Sequence, residues 1–140
     1  MKYLHYLTAS LILLFAPIYG LLVAVAMAII LDTITGLFKS IKLYGFKSIR
    51  SRKLSTIISK MFLYQTTVLL LFIMDKYLLN EFASLWFGIE FMFTKTCAIL
   101  LIFIELVSVK ENIEEAYSVD IWKMLKKLLN RAKEIKSDLK

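Results

Sequence analysis

A single cysteine, a single histidine, a single proline and four glycines are spread over 140 residues, and each scarcity removes a class of answer. With Cys97 alone there is no internal disulfide framework, and with His5 as the only histidine no Cys/His metal site can be assembled within one copy. The sequence has no glycine-rich phosphate loop, no Ser/His/Asp set and no pair of carboxylates in a soluble cleft, so neither an enzyme nor a bound cofactor is expected. The first apolar run passes Pro17 into a second one without a small-residue cleavage pattern, so a cleavable leader is not expected there. Acidic residues are missing where basic ones gather: from Lys39 to Lys60 there is no Asp or Glu.

What is abundant is apolar surface. Hydrophobic residues make up 59% of the chain and the mean hydropathy is +0.71, above the apolar share of about half found in a soluble domain. A bilayer is the fitting solvent. Unpaired backbone cannot sit in lipid, so spans of about 20 helical residues are the economical way across its roughly 30 Å core. The stretch from Tyr3 to Phe38 is too long for one crossing. Pro17 and Gly20 divide it into a short helix, Tyr3 to Ala16, which either spans or lies in the interface, and a full-length one, Tyr19 to Phe38. A third span runs from Met61 to Leu79 and a fourth from Glu90 to Val109, with Lys95 near enough to its end to snorkel. Between them, Asn80 to Gly88 carries Glu81, Phe82, Trp86 and Phe87, an interfacial aromatic belt. The expected fold class is all-α: an integral membrane protein of helical hairpins with three to four transmembrane helices, residues 1–109, followed by a basic amphipathic tail, residues 110–140.

The net charge of +7 and sequence pI near 9.5 come from clusters beside the spans, a placement that fits anionic lipid headgroups better than nucleic acid. Lys39, Lys42, Lys47, Arg50, Arg52, Lys53 and Lys60 in the connector, with Lys123, Lys126, Lys127 and Arg131 in the tail, are the candidate headgroup-binding residues. The positive-inside rule places both segments in the cytoplasm and makes spans three and four an outward hairpin. If the first helix spans, the N-terminus is cytoplasmic as well.

In the tail, Ser118 fits an N-cap and Asp120 suits the positive end of a helix dipole. Ile121, Leu125, Leu128, Ala132, Ile135 and Leu139 form a heptad seam that Trp122 and Leu129 widen. Such a helix either lies on the inner leaflet or self-associates as a short coiled coil, and the broad apolar face with its basic flank favours the leaflet.

Along the second helix Gly20, Ala24, Ala28, Asp32 and Gly36 recur every four residues. Small residues at this spacing let helices approach closely, and Asp32 and Thr35 can hydrogen-bond across the contact. The stripe either packs inside one bundle or forms an intermolecular face or the wet wall of a pore. Glu105 and Ser108 share a face of the fourth helix near its cytoplasmic end, with Asn112 one turn further and Asp32 at similar depth. The two acids either join such a wall or pair with Lys39, Lys53 or Lys60. Gln65, Val68, Phe72 and Asp75 share a face of the third helix, with Asp75 near enough to the outer end for headgroup exposure.

Leu31-Asp32-Thr33-Ile34-Thr35-Gly36 resembles the Asp-x-x-Thr-Gly signature of the phage holin family that includes clostridial toxin-release holins. The basic, serine-containing loop leading through Lys60 to Met74-Asp75-Lys76 is similar to the same family. So is Ile104-Glu105-Leu106-Val107-Ser108-Val109-Lys110-Glu111-Asn112, which resembles its Glu-x-x-Ser-x-x-Glu-Asn pattern. The resemblance covers roughly Leu21 to Asn112. It implies a small protein that oligomerises in the host cytoplasmic membrane and opens it, so that a cell-wall-degrading enzyme or toxin escapes. A non-lytic membrane scaffold or regulator, or a small channel, is the alternative. A transporter would be expected to show repeated halves, and no repeat is found.

Overall fold

The computed structural model describes residues 2–46, 51–79, 81, 85 and 88–138. It is all helical: α1 (Lys2–Phe15), a 3-10 turn (Ala16–Ile18), α2 (Tyr19–Tyr44), α3 (Ser51–Met74) closing in a π-helical turn (Asp75–Leu79), α4 (Met92–Tyr117) and α5 (Ile121–Asp138). Pro17 does interrupt the first apolar stretch, but only by that one 3-10 turn. Its missing donor falls in the turn's first positions, where no partner is needed. Helix resumes at Tyr19, so Gly20 lies inside α2 and not at the break. Among the described residues, Thr8–Tyr44, Ser55–Leu79 and Met92–Tyr117 are the three stretches long and apolar enough to cross a bilayer.

Two helices outrun the spans that hydropathy marks. α2 and α4 each hold 26 residues, about 39 Å at 1.5 Å per residue, against a hydrocarbon core of about 30 Å. α2 continues past Phe38 to Gly45, whose φ of 76° ends it while its N–H closes on Ile41 O at 2.8 Å. α4 continues past Val109 to Ser118, which adopts a left-handed conformation at φ 52° and bonds back to Glu114 O. Ser118 therefore ends α4 and does not cap the tail helix. Asp120 is that cap, its Oδ1 accepting the Lys123 N–H at 3.0 Å. The basic connector shrinks accordingly. Lys39 and Lys42 ride on the last turns of α2, and Arg52, Lys53 and Lys60 lie in the first turns of α3. Lys47, Arg50, Leu139 and the aromatic belt residues Phe82, Trp86 and Phe87 lie outside the described residues.

α2 and α4 run parallel and pack along each other more extensively than any other pair, with α3 antiparallel against both. Their core is Ile18, Val25, Ile29, Val68, Phe72 and Ala98. Phe72 anchors one end, its ring 6.0 Å from Phe15 and 5.1 Å from Phe91. Phe91 adopts a left-handed φ of 52° at the start of α4 while its ring packs on Phe72. Phe15, at the end of α1, also packs against the core cluster. The bundle's outer face is apolar, with Met27, Phe62, Leu70, Leu100 and Phe103 exposed. In water such a face would be a liability, whereas in lipid it is the ordinary protein surface.

Candidate functional site

All three bundle helices meet at Lys60. Its Nζ, on α3, lies 3.0 Å from Asp32 Oδ2 on α2 and 2.9 Å from Glu105 Oε2 on α4. Of the pairings open in the sequence, the one with Lys60 is thus made, Lys39 pairs with Glu115 instead, and the Lys53 side chain lies outside the described residues. Glu105 is fully buried, while Asp32 and Lys60 are partly so. Because α4 continues to Tyr117, Glu105 stands at the middle of that helix and not near its end. Ionic groups at this depth persist only when paired, and removing one partner of a buried pair costs about 3–5 kcal/mol.

The second Asp32 oxygen is taken as well. Asn112 Nδ2 donates to Oδ1 at 3.0 Å and lies 3.4 Å from both the Asp32 carbonyl and Thr35 Oγ1. Gly36 lies against that amide, and a Cβ there would stand in ordinary contact with it, 3.4 Å from Asn112 Nδ2. Tyr64, one turn beyond Lys60, neighbours the Glu105 carboxylate. A cleft of about 290 Å³ runs from Asp32, Lys60 and Asn112 past Lys39 to Ser40 and Thr56, toward the basic end of the bundle.

At that end Lys39 pairs with Glu115 at 3.2 Å. Lys42 Nζ sits 3.5 Å above the Tyr117 ring, which stacks on Phe38 at 6.0 Å. Together these contacts fasten the overhanging turns of α2 and α4. Glu114 then joins α4 to the tail, accepting from Lys110 at 2.8 Å and from the Ile121 N–H at 2.9 Å. At the other end Asp75 is fully buried, which overturns the headgroup exposure expected for it. Its Oδ2 accepts both the N–H and the hydroxyl of Thr94, each at 2.6 Å, and so caps the first turn of α4.

Among the residues of the small stripe, Ala28 is buried, Asp32 and Gly36 face α4, and Gly20 and Ala24 remain exposed. Ser108 is half-buried. Lys123, Lys126, Lys127 and Arg131 are exposed on α5, as are Trp122, Leu125, Leu128 and Leu129. Tyr64, Thr94, Glu115 and Tyr117 were not singled out from sequence. Only Tyr64 carried a usable signal, its spacing of one turn from Lys60. Among the described residues no group of His, Cys, Asp or Glu side chains is placed to hold a metal ion.

Apolar helices of spanning length whose ionic groups are satisfied between helices define a multi-pass α-helical membrane protein. More particularly, the chain belongs to the bacteriophage holin family, whose model matches residues 9–134 and so takes in the whole bundle and most of α5. Holin-family proteins are not enzymes. No curated protein and no solved structure matches this chain.

Proposed function

We propose that the chain is a pore-forming holin that assembles as a homo-oligomer in the bacterial cytoplasmic membrane and opens it for a cell-wall-degrading enzyme or a toxin. The observation that carries this reading is family membership over residues 9–134. The motif residues Asp32, Thr35, Gly36, Glu105 and Asn112 also converge on one intramembrane cluster, which supports the likeness to toxin-release holins. In the closed subunit these polar groups bind one another. On opening, Asp32, Thr35, Glu105 and Ser108 turn toward water, because they are the groups a lipid-facing wall cannot carry. Gly20 and Ala24, left uncovered on α2, offer a neighbouring subunit a close approach.

Both termini face the cytoplasm in this reading. Residues 1–109 form the membrane domain, and the tail, 110–140, begins as the overhang of α4. The basic residues of the connector and tail hold the inner leaflet, each well-placed cation contributing about 1 kcal/mol. α5 lies on that leaflet with Trp122, Leu125 and Leu128 in the acyl boundary.

Induction in a bacterium with and without a co-expressed muralytic enzyme tests the proposal. Abrupt depolarisation at a characteristic time, followed by lysis only when the enzyme is present, is expected. Slow growth inhibition with an intact membrane potential would instead identify a non-lytic scaffold.

A further inference from the structure

The cluster at Lys60 is not balanced in charge: two carboxylates, Asp32 and Glu105, share one ammonium inside the bundle. Among the described residues, the charged and titratable groups that face it are Asp32 from α2, Lys60 and Tyr64 from α3, and Glu105 itself from α4. Lys39, the next cation along the cleft, is engaged by Glu115. The two acids are not equivalent. Asp32 has both oxygens occupied, Oδ2 by Lys60 and Oδ1 by Asn112, and it borders the cleft. Glu105 is sealed behind it, with Oε2 on Lys60, the Tyr64 side chain beside the carboxylate, and Oε1 buried with no hydrogen bond of good geometry.

We infer that this cluster is a proton-binding site, with one proton held on Glu105 Oε1 in the folded subunit. An uncompensated charge at this depth is far costlier than a neutral carboxyl group with one unmade hydrogen bond. A metal or ammonium ion needs a cavity with several oxygen ligands, and the cleft stops at Asp32 and Lys60 without reaching Glu105. A proton needs no cavity. With it in place Glu105 still accepts from Lys60 through Oε2, Asp32 and Lys60 form a balanced pair, and the cluster as a whole is neutral. The proton is taken from solvent as the subunit folds, before Glu105 is sealed. The inference concerns the folded subunit and stands or falls independently of lysis.

Infrared spectroscopy of the full-length chain in lipid vesicles tests it, using protein labelled with carbon-13 in the glutamate side-chain carboxyl. At neutral pH the wild type should show the carbonyl band of a protonated, water-excluded carboxyl group, and the glutamate label should shift it. Glu105→Gln should abolish that band. Asp32→Asn should abolish it too, because one acid then balances Lys60 with no proton needed. Absence of a glutamate-shifted band in the wild type, or its survival in either variant, would overturn the inference. Since the wild-type label experiment reads the site directly, misfolding of a variant would not shield it.

Discussion

Gly36 offers the sharpest test of how the bundle is held together. A Cβ at this position would meet Asn112 Nδ2 at 3.4 Å, Cγ at 3.8 Å and Oδ1 at 3.9 Å. These are ordinary contact distances, so Gly36→Ala should be neutral or stabilising, by up to about 1 kcal/mol from helix propensity. Leucine differs because its outer carbons require the space of the Asn112 amide. Displacing that amide removes a charge-assisted hydrogen bond to Asp32, about 1.5–3 kcal/mol, and overpacks the seam by about 1–3 kcal/mol. Against the gain from replacing glycine, a net loss of about 2–5 kcal/mol is expected. The effect should appear in single subunits, measured by circular dichroism as purified protein in mixed micelles is titrated with SDS. Because the same bond is lost in both, Asn112→Ala combined with Gly36→Leu should be less damaging than additivity predicts. A Gly36→Leu protein as stable as wild type, or an alanine variant worse than the leucine one, would refute this account of the α2–α4 seam.

Replacing Lys60 by Met should destabilise the bundle by about 3–5 kcal/mol in the same titration, since it leaves Asp32 without its counter-ion and buried Glu105 without its donor. Asp75→Ala should expose the first amides of α4 to hydrogen exchange while leaving those near Glu105 protected, because it removes both bonds to Thr94. In the tail, the Lys123 N–H holds the Asp120 carboxyl below the usual aspartate range. Its stabilising effect is therefore complete above about pH 4 and lost as pH falls through the lowered folded value. Circular dichroism of α5 should follow that sign, and Asp120→Ala should give lower helicity with no such acid transition.

Helix identity was legible in the sequence because apolar length is a direct consequence of a bilayer solvent, and α1, α2, α3 and α4 all fall where that length predicts. Helix ends were not. Lys39 and Lys110 mark where lipid gives way to charge, but nothing in Lys39–Tyr44 or Lys110–Tyr117 breaks a helix, so the backbone continues until Gly45 and Ser118. Asp32, Glu105 and Asn112 announced themselves as polar groups in apolar runs. Sequence offered three lysines as partners, and only the antiparallel register of α3 selects Lys60. Asp75 was misjudged for a related reason: its partner Thr94 lies across the outer connection, and no local pattern reports a cap supplied by another helix.

The two overhanging helices are riveted at one level by Lys39 with Glu115 and by Lys42 with Tyr117, while α3 is tied elsewhere, through Lys60 to both acids, through Gln65 to the Leu22 carbonyl and through Asp75 to Thr94. Any large rearrangement of the subunit is thereby channelled. α2 and α4 must travel together as a double mast, and α3 is the spar that swings only once its ties at Lys60, Gln65 and Asp75 are let go. Through Glu114 that mast also carries the base of the tail helix with it, so a tilt begun in the lipid is felt at once on the surface where α5 rests.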